Sequence, residues 1–285
     1  MISNEIEFHR PSTLRAALDL LAADGDDVTV LAGGMSLLPM MNLGIVRPEK
    51  VLSLNRLGEL AGVAERDGEL VIGALVRHEA VATGPLVRRH CPLLAAAARV
   101  VGDVQVRNRG TIGGSLAHAD PAADYLPALA AMGARVTLSS NRGERTQPIG
   151  EFLVDVMLTS REPDELVTSI TVPKLPGGWG SAFQRLARVE GSFAIVNAAA
   201  VVAGDHSAAT VALGGVGPRP VVLDVSAQVG GPLDGAALDA VGEAAFQAAA
   251  GATGDQLSDA GYRRQMASVL ARRALRAAVE GGGAA

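Results

Sequence analysis

Two short segments of the chain share a pattern that suits anion binding. The first runs Leu31-Ala32-Gly33-Gly34-Met35-Ser36-Leu37, the second Gly110-Thr111-Ile112-Gly113-Gly114-Ser115-Leu116. Each places a glycine pair just ahead of a serine. Consecutive glycines turn with positive φ and carry no Cβ, so backbone N–H groups can converge on a phosphate. The serine hydroxyl adds a donor. One such turn suits one phosphate, and two from distant segments suit a pyrophosphate held from both sides. An ordinary tight turn is the other reading of either segment taken alone. Neither matches G-x-G-x-x-G or G-x-x-x-x-G-K-[ST], so a plain NAD domain and a P-loop NTPase are excluded.

Further polar groups flank the second segment. Arg107 and Arg109 precede it and either offset pyrophosphate charge or face water. His118, Asp120 and Asp124 follow it. Asp124 can accept a bond from a ribose or ribityl hydroxyl, or from a ring N–H. Asp120-Pro121 reads equally as a turn or a helix cap. His118 and Asp120 are too few for a metal site. No Ser-His-Asp or Cys-His set can be assembled, so no catalytic residue is assigned. Cys91, just before Pro92, reads as a small buried hydrophobe.

The chain has 285 residues, enough for about two domains. Hydrophobic residues make up 48% and charged residues 19%, which supports a real core. The net charge of −5 lacks the basic excess of a nucleic-acid surface. A single cysteine excludes an internal disulfide, a Cys-rich zinc site and a self-held iron–sulfur cluster. Any metal redox chemistry must come from another polypeptide. Met1 to Arg10 shows no basic-then-apolar leader pattern. The longest apolar stretch, Phe193–Ala203, is interrupted by Asn197 and falls short of the roughly 20 residues a span needs. A soluble, cytoplasmic protein is expected, with no nucleic-acid partner and no transmembrane segment.

The elements that must hold the glycine segments can be read from periodicity. Ser12 or Thr13 caps a helix with Leu14, Leu18 and Leu21 at helical spacing. Residues 28–31 and 50–54 read as strands, so residues 5–55 form a small β-α-β-turn-β unit. Residues 69–73, 135–138 and 165–172 are further strands, the last stopped by Pro173. Residues 83–101 carry helical signals. Pro176, Gly177 and Gly178 mark a boundary. Beyond it, residues 182–187, 194–203 and 209–214 read as strands, and the last 50 or so residues as helix. In the final helix Ser258 or Asp259 caps, with Tyr262, Met266, Val269 and Leu270 on one face. Arg263, Arg264, Arg272, Arg273 and Arg276 fall on other faces, solvated or docking a partner. Residues 281–285 read as a frayed tail.

The stretches Ala32–Pro39 and Gly102–Ser115, the latter continued through Ala117–Asp124, resemble one family. It is the FAD-binding medium subunit of molybdenum hydroxylases, of the carbon monoxide dehydrogenase and xanthine dehydrogenase type. Gly191–Val196 and Tyr262-Arg263-Arg264 resemble its C-terminal domain. The resemblance implies an α+β fold: a two-lobed PCMH-type FAD-binding domain over residues 1–175, with lobes at about 1–57 and 58–175. An α+β C-terminal domain of antiparallel sheet and helices over 179–281 would follow. It implies FAD on this chain, a small partner subunit with [2Fe–2S] clusters and a large partner subunit with molybdopterin. The assembly would be a dimer of heterotrimers that passes electrons to an external acceptor. Carried over by position, Ala32, Gly33, Gly34, Met35 and Ser36, with Thr111, Ile112, Gly113, Gly114 and Ser115, would hold the FAD pyrophosphate. Asp124 would bind polar groups of the cofactor, and Val101 and Leu166 would line it. Arg185 falls where many members have a lysine near the flavin, with Gln184 as the competing match. Two alternatives stay open. One is a stand-alone FAD oxidase or dehydrogenase of this fold, with His118 as its base. The other is a cofactor-free scaffold subunit.

Overall fold

Thr13 opens the first helix. Its hydroxyl accepts the Ala16 N–H at 3.3 Å, and β1 (Glu7–His9) precedes it. Helix α1 (Leu14–Asp24) turns Ala17, Leu18 and Leu21 inward against Val28 and Leu52. Those partners sit on β2 (Val28–Leu31) and β3 (Lys50–Ser53), with α2 (Leu37–Asn42) between them in sequence. The three strands are parallel, in the order β1-β3-β2. The structure, a computed structural model, describes residues 5–282.

A second lobe begins at β4 (Val63–Arg66) and β5 (Glu69–Gly73). A run of short helices follows: α3 (His78–Thr83), α4 (Pro85–His90), α5 (Pro92–Arg99), α6 (Val104–Arg109), α7 (Ile112–His118) and α8 (Tyr125–Ala131). Then come β6 (Arg135–Ser140), β7 (Gly143–Pro148), α9 (Ile149–Phe152), the hairpin β8 (Leu153–Asp155) and β9 (Leu158–Thr159), and β10 (Leu166–Pro173). The main sheet is antiparallel in the order β4-β5-β10-β6-β7. Its apolar face, with Leu70, Ile72, Val136, Ile170 and Val172, is covered by the helices. The helical signal over 83–101 is split at Cys91-Pro92, because proline supplies no N–H to continue α4. Cys91 is buried there, and burial pushes its thiol up to about 12.

The C-terminal part is a meander of β11 (Gly180–Ala187), β12 (Ala194–Val202), β13 (Ala209–Gly214) and β14 (Val221–Asp224). Helices α10 (Ser226–Val229), α11 (Gly235–Ala248) and α12 (Ala260–Gly282) follow. Every residue of β12 is buried. Ala199 and Val201 face the second lobe, while Ala198, Ala200 and Val202 face the C-terminal helices. The long apolar run is therefore a strand covered on both faces. No helix among the described residues is long and apolar enough to cross a membrane.

Helix α12 departs from the expected facing. Asp259 supplies the cap, its Oδ1 accepting the Tyr262 N–H at 2.8 Å. Tyr262 is exposed rather than inward. Arg263 is buried instead, donating to the carbonyls of Ile195 and Gly215 and to Asp255 Oδ2. Its guanidinium satisfies carbonyls at the ends of β12 and β13, which an apolar side chain could not do. Arg264 lies over the Phe246 ring at 4.1 Å, and Arg272 pairs with Asp239, so the arginine stripe is only partly free. The expected frayed tail is helical through Gly282, and its remaining residues lie outside those described.

Candidate cofactor site

The first glycine segment spans the gap from the end of β2 to the start of α2. Gly34 has φ +78, a conformation that favours glycine. Gly33 and Gly34 are buried. Among the described residues, the N–H groups of Gly33, Gly34, Met35 and Ser36 find no protein acceptor. The Ser36 hydroxyl makes no cap bond to its helix. Buried N–H groups are normally paired. Four consecutive unpaired donors in one turn form a concavity for an anion.

The second segment is built differently. Residues 76–78 run antiparallel beside 110–112, with Arg77 opposite Thr111. The His78 N–H donates to the Gly110 carbonyl and the Ile112 N–H to the Val76 carbonyl, both at 3.1 Å. The Gly113 N–H donates to the Ala74 carbonyl at 2.9 Å. The Gly114 N–H donates to Thr111 Oγ1 at 3.1 Å, which caps α7. The N–H groups of Ile112, Gly113, Gly114 and Ser115 are therefore already engaged within the protein. Ile112 is buried in the second-lobe core and anchors the segment. Among the described residues the Ser115 hydroxyl has no partner and remains a donor.

The glycines of the two turns serve close approach. A Cβ on Gly33 would lie 2.4 Å from the Arg109 carbonyl oxygen and 2.7 Å from Gly110 Cα. A Cβ on Gly113 would lie 2.4 Å from Ala74 Cβ, and one on Gly114 would stand 3.6 Å from Ala32 Cβ. The two segments thus touch across the seam between the lobes. A row of unpaired donors, two free hydroxyls and backbones too close for any Cβ fit the pyrophosphate of FAD.

The flanking arginines divide. Arg107 bonds Glu79 at 3.2 Å and the carbonyls of Val101 and Gly102, so it ties α6 to α3 and to the loop ahead of α6. Arg109 is exposed. Asp103 caps α6, accepting the Val106 N–H at 2.8 Å, and so sets the approach to Gly110. Asp103→Ala is expected to cost about 1 kcal/mol of unfolding free energy, read by urea denaturation.

Asp124 sits 6% exposed at the start of α8. Its Oδ1 accepts Arg185 Nε at 2.9 Å and Asn197 Nδ2 at 3.1 Å. Arg185 also donates to the Ser192 carbonyl. Arg185 and Asn197 are paired neighbours on β11 and β12, so this cluster joins the second lobe to the C-terminal sheet. Gln184 points the other way, between Ala182 and Leu186, which pack toward the C-terminal helices. Among the described residues, Asp124 Oδ2 meets no protein donor and remains able to accept. Asn197 was visible in the sequence only as the polar break in the apolar run. Gly214 makes room for it, since a Cβ there would lie 2.2 Å from Asn197 Oδ1.

Burial raises the Asp124 carboxyl to about 6, with Arg185 and Asn197 opposing the shift. A folded-state pKa above the unfolded one favours the native state most below the unfolded value. That contribution is lost as pH rises through about 6. Relative to Asp124→Asn, which has no such proton, the wild-type chain is therefore expected to lose stability between pH 4 and pH 6, read by denaturant midpoints across that range.

The remaining candidates spread out. Val101 is half-buried against the second-lobe core. Leu166 is 2% exposed and packs in the first-lobe cluster, together with Ala32. Asp120 forms a turn through its Oδ1 and the Ala122 N–H at 2.9 Å. Among the described residues no three His, Cys, Asp or Glu side chains gather as a metal set. Sequence reading missed Asn55, Arg77 and His78. All three come to the seam or its support from elements whose role only the pairing of 76–78 with 110–112 reveals.

Two lobes meeting along a glycine-lined seam, tied by a buried ion pair to an antiparallel third layer, define a two-lobed flavoprotein. Residues 4–175 match the family described as the FAD binding domain in molybdopterin dehydrogenase. Residues 181–278 match the CO dehydrogenase flavoprotein C-terminal domain. The chain belongs to this family of medium, FAD-binding subunits. It is 37% identical over 284 residues to the carbon monoxide dehydrogenase medium chain of Hydrogenophaga pseudoflava, covering 98% of each. It is 44% identical over 190 residues to a 6-hydroxypseudooxynicotine dehydrogenase complex subunit alpha of Paenarthrobacter nicotinovorans, covering 67% of this chain and 64% of that one. A solved structure of the Hydrogenophaga pseudoflava carbon monoxide dehydrogenase, in a form lacking the Mo-pyranopterin moiety, superposes with a TM-score of 0.91 over 98% of each chain, at 37% identity.

Proposed function

We propose that this chain is the FAD-binding electron-transfer subunit of a molybdenum hydroxylase. The observation that carries this reading is the row of unpaired N–H donors from Gly33 to Ser36, set against a second segment that leaves no room for a Cβ. We assign the FAD-binding domain to residues 1–175, with lobes at about 1–57 and 58–175, and the C-terminal domain to 179–281.

The turn at Ala32–Ser36 grips the pyrophosphate through its N–H groups and the Ser36 hydroxyl. Thr111, Ile112, Gly113 and Gly114 hold the second segment close, and Ser115 adds its hydroxyl. Asp124 offers Oδ2 to a cofactor hydroxyl or ring N–H, and Arg185 and Asn197 fix it in place through Oδ1. Val101 and Leu166 close the lining. Bound FAD accepts electrons singly and releases two together, which couples one-electron clusters to a two-electron acceptor. The [2Fe–2S] clusters belong to a small partner subunit and the molybdopterin to a large one, in a cytoplasmic dimer of heterotrimers. Relatives named as medium chains and complex subunits support such partners. The lone, buried Cys91 cannot hold a cluster.

The test is reconstitution. The purified chain is expected to bind FAD stoichiometrically, with the absorbance of protein-bound flavin, and to co-purify with its two partner subunits when the three are co-expressed. A chain that stays colourless in excess FAD refutes the reading. Steady turnover of an organic substrate by the chain alone supports the stand-alone oxidase instead.

A further inference from the structure

Arg77 lies where the two glycine segments cross. It stands directly opposite Thr111 in the antiparallel pairing of 76–78 with 110–112. Opposed residues project to one face and their neighbours to the other. His78 takes the far face, its Nδ1 meeting Tyr125 Oη at 2.9 Å inside the second lobe. Arg77 takes the seam. Its guanidinium donates to the Arg109 carbonyl and, at 3.3 Å, to Asn55 Oδ1 of the first lobe. That carbonyl is the same one a Cβ on Gly33 would strike. The guanidinium therefore bridges the lobes beside the turn with the unpaired donors.

Its charge has no counterpart. The nearby Glu79 is taken by Arg107, and among the described residues neither Arg77 nor Arg109 forms an ion pair. Partial burial and the neighbouring Arg109 charge both act on Arg77 without any acidic group opposing them. A half-buried cation without a partner is costly until an anion arrives. The two bonds to Arg109 and Asn55 leave most of the guanidinium N–H donors free for phosphate oxygens.

We propose that Arg77 recognises the diphosphate of the cofactor, acting as a lobe-bridging cation beside the Gly33–Ser36 turn. This rests on the FAD reading above. The guanidinium supplies the charge that the neutral N–H row lacks, and its tether to Asn55 keeps both segments at binding distance.

The test titrates the deflavinated full-length chain with FAD and with ADP, which carries the diphosphate without the flavin, at low and high salt. Arg77→Ala is expected to weaken both ligands by about ten- to a hundredfold, the range for a charge-assisted bond. It is also expected to flatten the salt dependence, since a charge has gone. Arg77→Lys keeps the salt dependence and recovers part of the affinity, and it carries the test if the alanine variant fails to fold. Asn55→Ala cuts the tether, spares the charge, and is expected to leave the salt dependence intact. Wild-type affinity for ADP in Arg77→Ala overturns the proposal. So does an Asn55→Ala variant that matches Arg77→Ala in both affinity and salt response, which would make Arg77 a mechanical tie. A wild-type chain that binds no FAD at all overturns the functional reading instead, so the two failures are told apart.

Discussion

Gly33→Ala is expected to strip the chain of FAD. The new Cβ would sit 2.4 Å from the Arg109 carbonyl oxygen and 2.7 Å from Gly110 Cα. Both are backbone atoms, so no rotamer change relieves the contact, and the two glycine segments must part. Overpacking of this kind costs about 1–3 kcal/mol. Because the strain falls on the seam itself, flavin affinity should drop by at least about tenfold for each 1.4 kcal/mol. Gly113→Ala should act alike, since its Cβ meets Ala74 Cβ at 2.4 Å and Ala74 Cα at 2.8 Å. Gly34→Ala should be milder: its φ of +78 is strained for alanine, but the nearest obstacle is the movable Leu38 side chain. Gly114→Ala crowds the Thr111 hydroxyl at 2.8 Å and meets Ala32 Cβ at an ordinary 3.6 Å, so it should lose little beyond the cap. Flavin content per chain after gel filtration gives the ranking. If Gly34→Ala or Gly114→Ala proves worse than Gly33→Ala, the seam is not where the glycines act.

Asp124→Ala carries the second large effect. It leaves the Arg185 guanidinium, 12% exposed, without its carboxylate. Removing one partner of a buried pair costs about 3–5 kcal/mol. Arg185→Ala should cost less, because Asp124 titrates near 6 and can take up a proton once the cation has gone. Arginine has no such escape. The double variant should therefore be less unstable than the sum of the two single ones. Unfolding midpoints of the four proteins check this. Equal losses from the two single changes would show that the asymmetry of their titration plays no part.

Much of this was legible in the chain itself. The glycine pairs, the first parallel unit, the central strands and the resemblance of Gly102–Ser115 to a flavoprotein segment all lie in local runs of residues. Local runs do not reveal how the labour divides between the turns. Sequence shows that Gly113 and Gly114 lack a Cβ, but not that Ala74 and Thr111 have already taken their N–H groups. Arg77 was overlooked because its meaning comes from a pairing more than thirty positions away. Tyr262 and Arg263 exchanged their expected places because unsatisfied carbonyls at Ile195 and Gly215, not apolar periodicity, decide which of them turns inward.

The strand covered on both faces has a consequence for motion. Alternate side chains of β12 belong to two different cores, so the C-terminal layer cannot swing away from the second lobe as a rigid lid without tearing the core that Ala199 and Val201 share with that lobe. Any breathing that admits or releases the cofactor falls to lighter parts. One such part is the loop from Val189 to Phe193, which crosses beside Gly102 with both end residues exposed. The light loop and the rigid frame are thus made from different stretches of chain.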